Sequence, residues 1–205
     1  MFKNFLELNQ QDVLDHLMLT AHIAEFAEWD NRTHLERIRR YTYILASKTD
    51  IGHNEANLIS IASTLHDVGK IAIPASILKK TANLTSAEYK ITERHTLEGA
   101  QLLSDSGSPI LQTAAIIART HHERWDGSGY PEGLKGESIP LSGRIMALAD
   151  VFDALTTQRP YKKQMQPEAA FDMIKESADS LFDPKLVSFF VDGFEEFKAV
   201  LKMQN

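Results

Sequence analysis

With 205 residues, 43% of them apolar and 24% charged, the chain can bury roughly 70% of its unfolded surface, in one domain or two small ones. Zero cysteines exclude a disulfide framework and thiolate metal sites, so a bound metal would need histidine or carboxylate ligands. The formal net charge of -6 speaks against a broad basic surface for DNA or RNA. With no run of about 18 apolar residues and no basic-then-apolar start, the expectation is a cytoplasmic protein with neither membrane span nor signal peptide.

Residues 1–29 read as an amino-terminal helix, because Val13, Leu14, Leu17, Met18, Ala21 and Ala24 recur at spacings of three and four. Core packing is its expected role; a dimer contact or a linker to a sensory domain is the alternative. His16 and His22 read as ordinary polar helix residues. From residue 30 to residue 205 the chain reads as the catalytic unit. A helix over 31–48 presents Leu35, Ile38, Tyr41, Ile44 and Leu45 on its apolar side, and Asp30 and His34 share a face across its start. Arg37 sits one turn further on. After punctuation at Asp50-Ile51-Gly52-His53, residues 55–68 read as an apolar helix stopped by Gly69, with His66 and Asp67 at its end. A buried Asp there needs a cationic partner, and Lys70 is close in sequence.

Ile73-Pro74 breaks the chain, with Ala75 as a turn residue. Thr85-Ser86-Ala87-Glu88 then forms a capping box opening a helix to Leu103 that contains His95. Another helix starts at Ser108-Pro109 and carries Ile110, Leu111, Ala114, Ile117 and Ala118 up to His121. The string His121-His122-Glu123-Arg124-Trp125-Asp126-Gly127-Ser128-Gly129-Tyr130-Pro131 follows. Residues 123–140 form a loop holding four of the ten glycines, so its backbone needs unusual dihedrals or a close approach. An apolar helix over 141–156 places Asp150 and Asp153 three apart, so both can face inward. Arg159-Pro160-Tyr161-Lys162-Lys163 is a basic cluster, and two further helices open at Gln166-Pro167 and Asp183-Pro184. With no alternating strand and no internal repeat, the expected fold is all-α.

Taken singly, His34 and His95 read as buried structural histidines, but if His34, His66, Asp67, His95, His121, His122 and Asp150 converge they form one metal site. Such a set suits iron, manganese, zinc or nickel better than calcium or magnesium. It exceeds what one tetrahedral ion needs, which points to two ions bridged by Asp67, with room for a third. Two ions roughly 3.5–4 Å apart can activate a bridging water and stabilise both oxygens of an in-line displacement at phosphorus. Phosphoester hydrolysis is the natural chemistry, with Lys70 neutralising charge that grows on the phosphate.

His66-Asp67-Val68-Gly69-Lys70 together with Gly129-Tyr130-Pro131 resembles the HD-GYP family, a branch of the HD metal-dependent phosphohydrolases of bacterial signalling. The likeness runs over residues 30–195, with further family-like strings in Arg144–Leu155, Arg159-Pro160-Tyr161-Lys162 and Phe182-Asp183-Pro184. The resemblance implies an HD-type helical fold with additional helices and a metal-bridging hydroxide that opens a cyclic dinucleotide to linear dinucleotide or mononucleotides. Cyclic di-GMP is the first substrate and 3′,3′-cyclic GMP-AMP the second. Carried over by residue, it implies His34, His66, Asp67, His95, His121, His122 and Asp150 as metal ligands, with Asp67 and Lys70 catalytic. Members with a third metal have a Glu four residues before the first histidine; here that position is Asp30, one methylene shorter. The resemblance also implies Lys70, Tyr130, Arg159 and Lys162 as substrate contacts, side chains whose chemistry suits phosphates and bases.

The implied cofactors are two divalent ions, iron first and manganese second, with a third conditional on Asp30. Implied partners are the cyclic dinucleotide and a second copy or a sensory or receiver domain, with no nucleic-acid polymer and no membrane. A non-hydrolysing cyclic di-GMP receptor is the alternative from another class, and the complete ligand set speaks against it. An HD phosphohydrolase acting on nucleoside phosphates is a third reading, opposed by the Tyr130 loop and the Arg159 segment.

Overall fold

A computed structural model describes residues 10–25, 32–158 and 163–202. All regular structure among them is helical: α1 (Gln10–Glu25), α2 (Arg32–Ser47), α3 (His53–Ala62), α4 (Ala75–Leu78), α5 (Ser86–Glu93), α6 (His95–Ser104), α7 (Pro109–Thr120), α8 (Leu141–Thr156), α9 (Pro167–Glu176), α10 (Pro184–Asp192) and α11 (Phe194–Lys202), with three short 3-10 turns. A single bridge between Ala178 and Phe182 is the nearest approach to strand pairing among the described residues. No described helix is long and apolar enough to cross a membrane.

The centre is the packing of α2 against α8. Leu35, Ile38, Tyr41 and Leu45 share one side of α2 at helical spacing and are fully buried, as are Ile145, Met146, Leu148, Ala149 and Phe152 of α8. Tyr41 meets Phe152 edge-on at 5.3 Å and stacks on Phe197 of α11 at 4.6 Å, so the carboxyl-terminal helices close this core with aromatic contacts. Ala21 and Ala24 of α1 join the same core. Residues 1–9 and 26–31, Asp30 among them, lie outside the described residues.

Several expected boundaries hold. The helix expected over 141–156 is Leu141–Thr156, the Thr85–Glu88 capping box is formed, and Pro109, Pro167 and Pro184 stand in the first turns of their helices.

Four expectations are corrected. The helix expected over 55–68 stops at Ala62 and passes into a 3-10 turn, Ser63–Leu65; His66 and Asp67 stand between it and a second one, Val68–Ala72. Gly69 is therefore a contact point, not a helix stop. A Cβ there would lie 2.0 Å from the His95 carbonyl oxygen and 2.4 Å from the Gly99 nitrogen of α6, so only glycine permits this main-chain crossing. The helix expected from 85 to 103 divides at Arg94 into α5 and α6, and Ala75 opens a short helix, not a simple turn. Beyond the two helices expected to open at Gln166-Pro167 and Asp183-Pro184, a third, α11, follows α10 after Gly193.

Candidate metal centre

Five segments of chain meet at one place. α2 brings His34, the break between the 3-10 turns brings His66 and Asp67, and the first residue of α6 is His95. The end of α7 brings His121 and His122, and α8 brings Asp150. Ligand-type atoms of Asp67, His95, His121 and His122 lie within 4.8 Å of one another, and so do those of His34, His66 and Asp150. The adjacency of His66 and Asp67 joins the two groups. Asp67 stands between them, with Oδ2 3.1 Å from His66 Nε2 and Oδ1 3.3 Å from His95 Nε2 and 3.7 Å from His121 Nε2.

The orientation of the imidazoles is set behind the site. Nδ1 of His66 lies 3.0 Å from the Ser63 carbonyl oxygen, Nδ1 of His95 2.6 Å from that of Thr92, and Nδ1 of His121 3.0 Å from that of Ile117. Nδ1 of His34 lies 2.7 Å from Asp153 Oδ2. Each partner is an acceptor, so each Nδ1 carries a hydrogen and, in the neutral ring, Nε2 turns a lone pair inward. Burial pushes the His95 imidazole down to about 4 and His122 well below its ordinary value, so both are neutral at pH 7.

Lone pairs of His95 and His121, their Nε2 atoms 3.5 Å apart, thus converge with Asp67 Oδ1, which is buried and accepts no hydrogen bond. Electron-rich atoms brought together in this way need a cation between them. The two donor groups fit divalent metal ions.

Burial alone would raise the Asp67 carboxyl, yet His66 in its protonated form and Lys70 hold it well below the usual carboxylate range. Lys70 Nζ lies 2.8 Å from Asp67 Oδ2, placing one cationic side chain at the edge of the centre.

Above the centre is the loop after α7. Glu123, 3% exposed, accepts the backbone N–H groups of Glu132 at 2.8 Å and Leu134 at 3.0 Å, clasping the loop from within. Tyr130 is thereby turned back and stacks on His122, with centroids 4.7 Å apart and ring planes 26° apart. Gly129 makes this return possible, since a Cβ on it would meet the Arg124 nitrogen at 2.4 Å. Arg159 and Lys162, expected as substrate contacts, lie outside the described residues, as does Asp30.

Sequence reasoning placed Asp153 inward without giving it a task. It is fully buried, accepts from His34 Nδ1 and is gripped by Arg37, whose Nε bonds Oδ1 and whose Nη2 lies 3.0 Å from Oδ2. Burial opposes its charge, but His34 and Arg37 keep the carboxyl far below its ordinary value. Asp153 therefore orients His34 from behind. The signal was the Asp150–Asp153 spacing together with Arg37 one turn after His34. Glu123 carries no sequence signal, because its task is to hold main-chain groups nine and eleven residues ahead.

The HD domain family matches residues 17–186. The cyclic di-GMP phosphodiesterase response regulator RpfG of Xanthomonas campestris is 40% identical over 197 residues, covering 96% of this chain and 51% of that protein. The 3′3′-cGAMP-specific phosphodiesterase 2 of Vibrio cholerae is 42% identical over 180 residues, covering 88% of this chain and 34% of that protein. This chain thus spans about half of the first relative's length and about a third of the second's. Among solved structures, Bd1817, an HDG"Y"P protein of Bdellovibrio bacteriovorus, superposes with a TM-score of 0.59 at 17% identity, covering 90% of this chain and 60% of its own, a likeness of fold. With an HD match over most of its length, His66-Asp67 at the centre and Gly129-Tyr130-Pro131 folded over it, the chain belongs to the HD domain family, in its HD-GYP branch.

Proposed function

We propose that the chain is a metal-dependent phosphodiesterase that hydrolyses a cyclic dinucleotide, cyclic di-GMP first and 3′,3′-cyclic GMP-AMP second. The observation that carries this reading is the meeting of two donor groups on the two oxygens of Asp67. His34, His66 and Asp150 would hold one divalent ion, His95, His121 and His122 the other, and Asp67 both; iron is the first candidate and manganese the second. Bound there, the ions would supply an activated water and charge neutralisation at a phosphate. The protein's own residues do the rest. Nδ1 anchoring keeps the imidazoles in one tautomer, Lys70 offers positive charge where a phosphate oxygen would arrive, and Tyr130 presents a ring beside His122. Arg159 and Lys162 are further proposed contacts, and Asp30 a proposed ligand for a third ion.

The test is turnover of cyclic di-GMP and 3′,3′-cyclic GMP-AMP side by side, followed by chromatography, on protein loaded anaerobically with iron or with manganese. The expected result is linear dinucleotide or mononucleotide, formed only with metal. Asp67→Ala should lose both metal loading and turnover while keeping its helical circular dichroism. Hydrolysis retained in Asp67→Ala would overturn the bridging assignment, and binding of either dinucleotide without product would make the protein a receptor.

A further inference from the structure

We infer that Tyr89 is a substrate-binding residue, the stacking surface for a base of the dinucleotide at the mouth of the metal centre. The inference rests on the phosphodiesterase reading. Tyr89 belongs to α5, which supplies none of the proposed ligands, yet it bounds the same cavity as His121, His122, Arg124, Tyr130 and Asp150.

The size of that cavity decides what Tyr89 meets. Its volume is about 200 Å³. Pockets that enclose a drug-sized ligand run to roughly 300–1,000 Å³. A cyclic dinucleotide, two nucleotides joined in a ring, exceeds this space. With one phosphate against His121, His122 and Asp150, which line the cavity, a base lies across the mouth.

The aromatic rings step outward along that route. His122 stacks on Tyr130 at 4.7 Å, and Tyr130 meets Tyr89 edge-on at 6.3 Å with planes 77° apart. Exposure rises along the same line: His121 is 2% exposed at the floor and Tyr89 49% at the rim. A lone exposed tyrosine is ordinary. This one forms an open corner with Tyr130, where a flat purine can lie on one ring and abut the other. The Thr85–Glu88 capping box ends one residue before it and holds the start of its helix. The corner is thus present before a ligand arrives, which lowers the ordering cost of binding.

Tyr89→Ala and Tyr89→Phe test the inference on two readouts. One is KM and kcat for cyclic di-GMP with manganese-loaded protein; the other is Kd by equilibrium dialysis with metal-depleted protein, where nothing turns over. Base–aromatic stacking corresponds to a loss of roughly 5- to 150-fold. Tyr89→Ala is expected to raise KM and Kd by at least about fivefold, the loss falling on KM, and Tyr89→Phe to recover most of it. Unchanged constants in Tyr89→Ala would overturn the inference. So would Tyr89→Phe as weak as Tyr89→Ala. If the wild type turns over neither dinucleotide, the hydrolase reading fails and dialysis alone judges Tyr89; no binding by the wild type overturns the inference too.

Discussion

Removing the Asp153 carboxylate strands the Arg37 guanidinium in the core and leaves His34 Nδ1 without its acceptor. Both partners are almost wholly buried, so breaking the pair should cost about 3–5 kcal/mol. Asp153→Ala is therefore expected to lower the urea midpoint strongly. Asp153→Asn, which keeps the shape, should bind manganese about 10- to 100-fold more weakly by chelator competition, the range seen when an outer partner of a ligand is lost. Paired Arg37→Met and Asp153→Leu substitutions should be less destabilising than either alone, because no buried charge is left over. Equal urea midpoints for Asp153→Ala and wild type would refute the argument. At this scale the sequence was informative about residue type and poor about orientation. His34, His66 and Asp150 form one group of donors and Asp67, His95, His121 and His122 another. What fixes their tautomers is mostly main-chain carbonyl oxygen, which every residue carries and no motif displays.

The elements that present these residues depend on two small pieces of local chemistry. The first is the crossing of Gly69 and Gly99. Gly69→Ala pushes a methyl group into the His95 carbonyl and the α6 backbone, neither of which can turn aside. A loss of about 1–3 kcal/mol is expected from overpacking, with weaker metal binding through the displaced His95, measured by thermal unfolding and metal titration. The second is the start of α5. The Lys80 ammonium and the Thr85 N–H and hydroxyl hold the Glu88 carboxyl down at about 2, from an ordinary value of 4.5. Because the folded value is the lower one, this contribution is present above about pH 4.5 and is lost as the pH falls towards about 2. Hydrogen exchange at pH 7 should quicken in α5 of Glu88→Ala and stay unchanged in α8. Boundaries set by neighbours in sequence were legible, as in α8 and the proline-led helices. The breaks at Ala62 and Arg94 were not: apolar periodicity continues through both, and the second 3-10 turn is seated against α6 only in the folded chain.

For the whole molecule the centre is a join. His34 and Asp150 come from the α2–α8 core, while His95, His121 and His122 come from α6 and α7, so a bound ion would tie separate helices together. Chelation should lower thermal stability as well as stop turnover. At free metal about 100 times Kd the bound ion contributes about 2.7 kcal/mol, or roughly 5–10 °C in Tm for a chain of this size. Differential scanning calorimetry with manganese and then with excess EDTA measures it; an unchanged Tm would mean that the folded chain does not bind manganese at that concentration.

The Glu123 clasp has one more consequence. The same carboxylate that follows His122 in the chain holds the strand of loop from which Tyr130 projects, so a donor for metal and a surface for substrate move on one lever. Tyr130 stacks on His122, so an outward swing of the tyrosine should disturb the imidazole as well. Metal and dinucleotide should therefore be positive heterotropic effectors of each other, and reciprocity requires the factor by which manganese tightens the dinucleotide to equal the factor by which the dinucleotide tightens manganese. Cutting the clasp with Glu123→Gln should shrink both factors together.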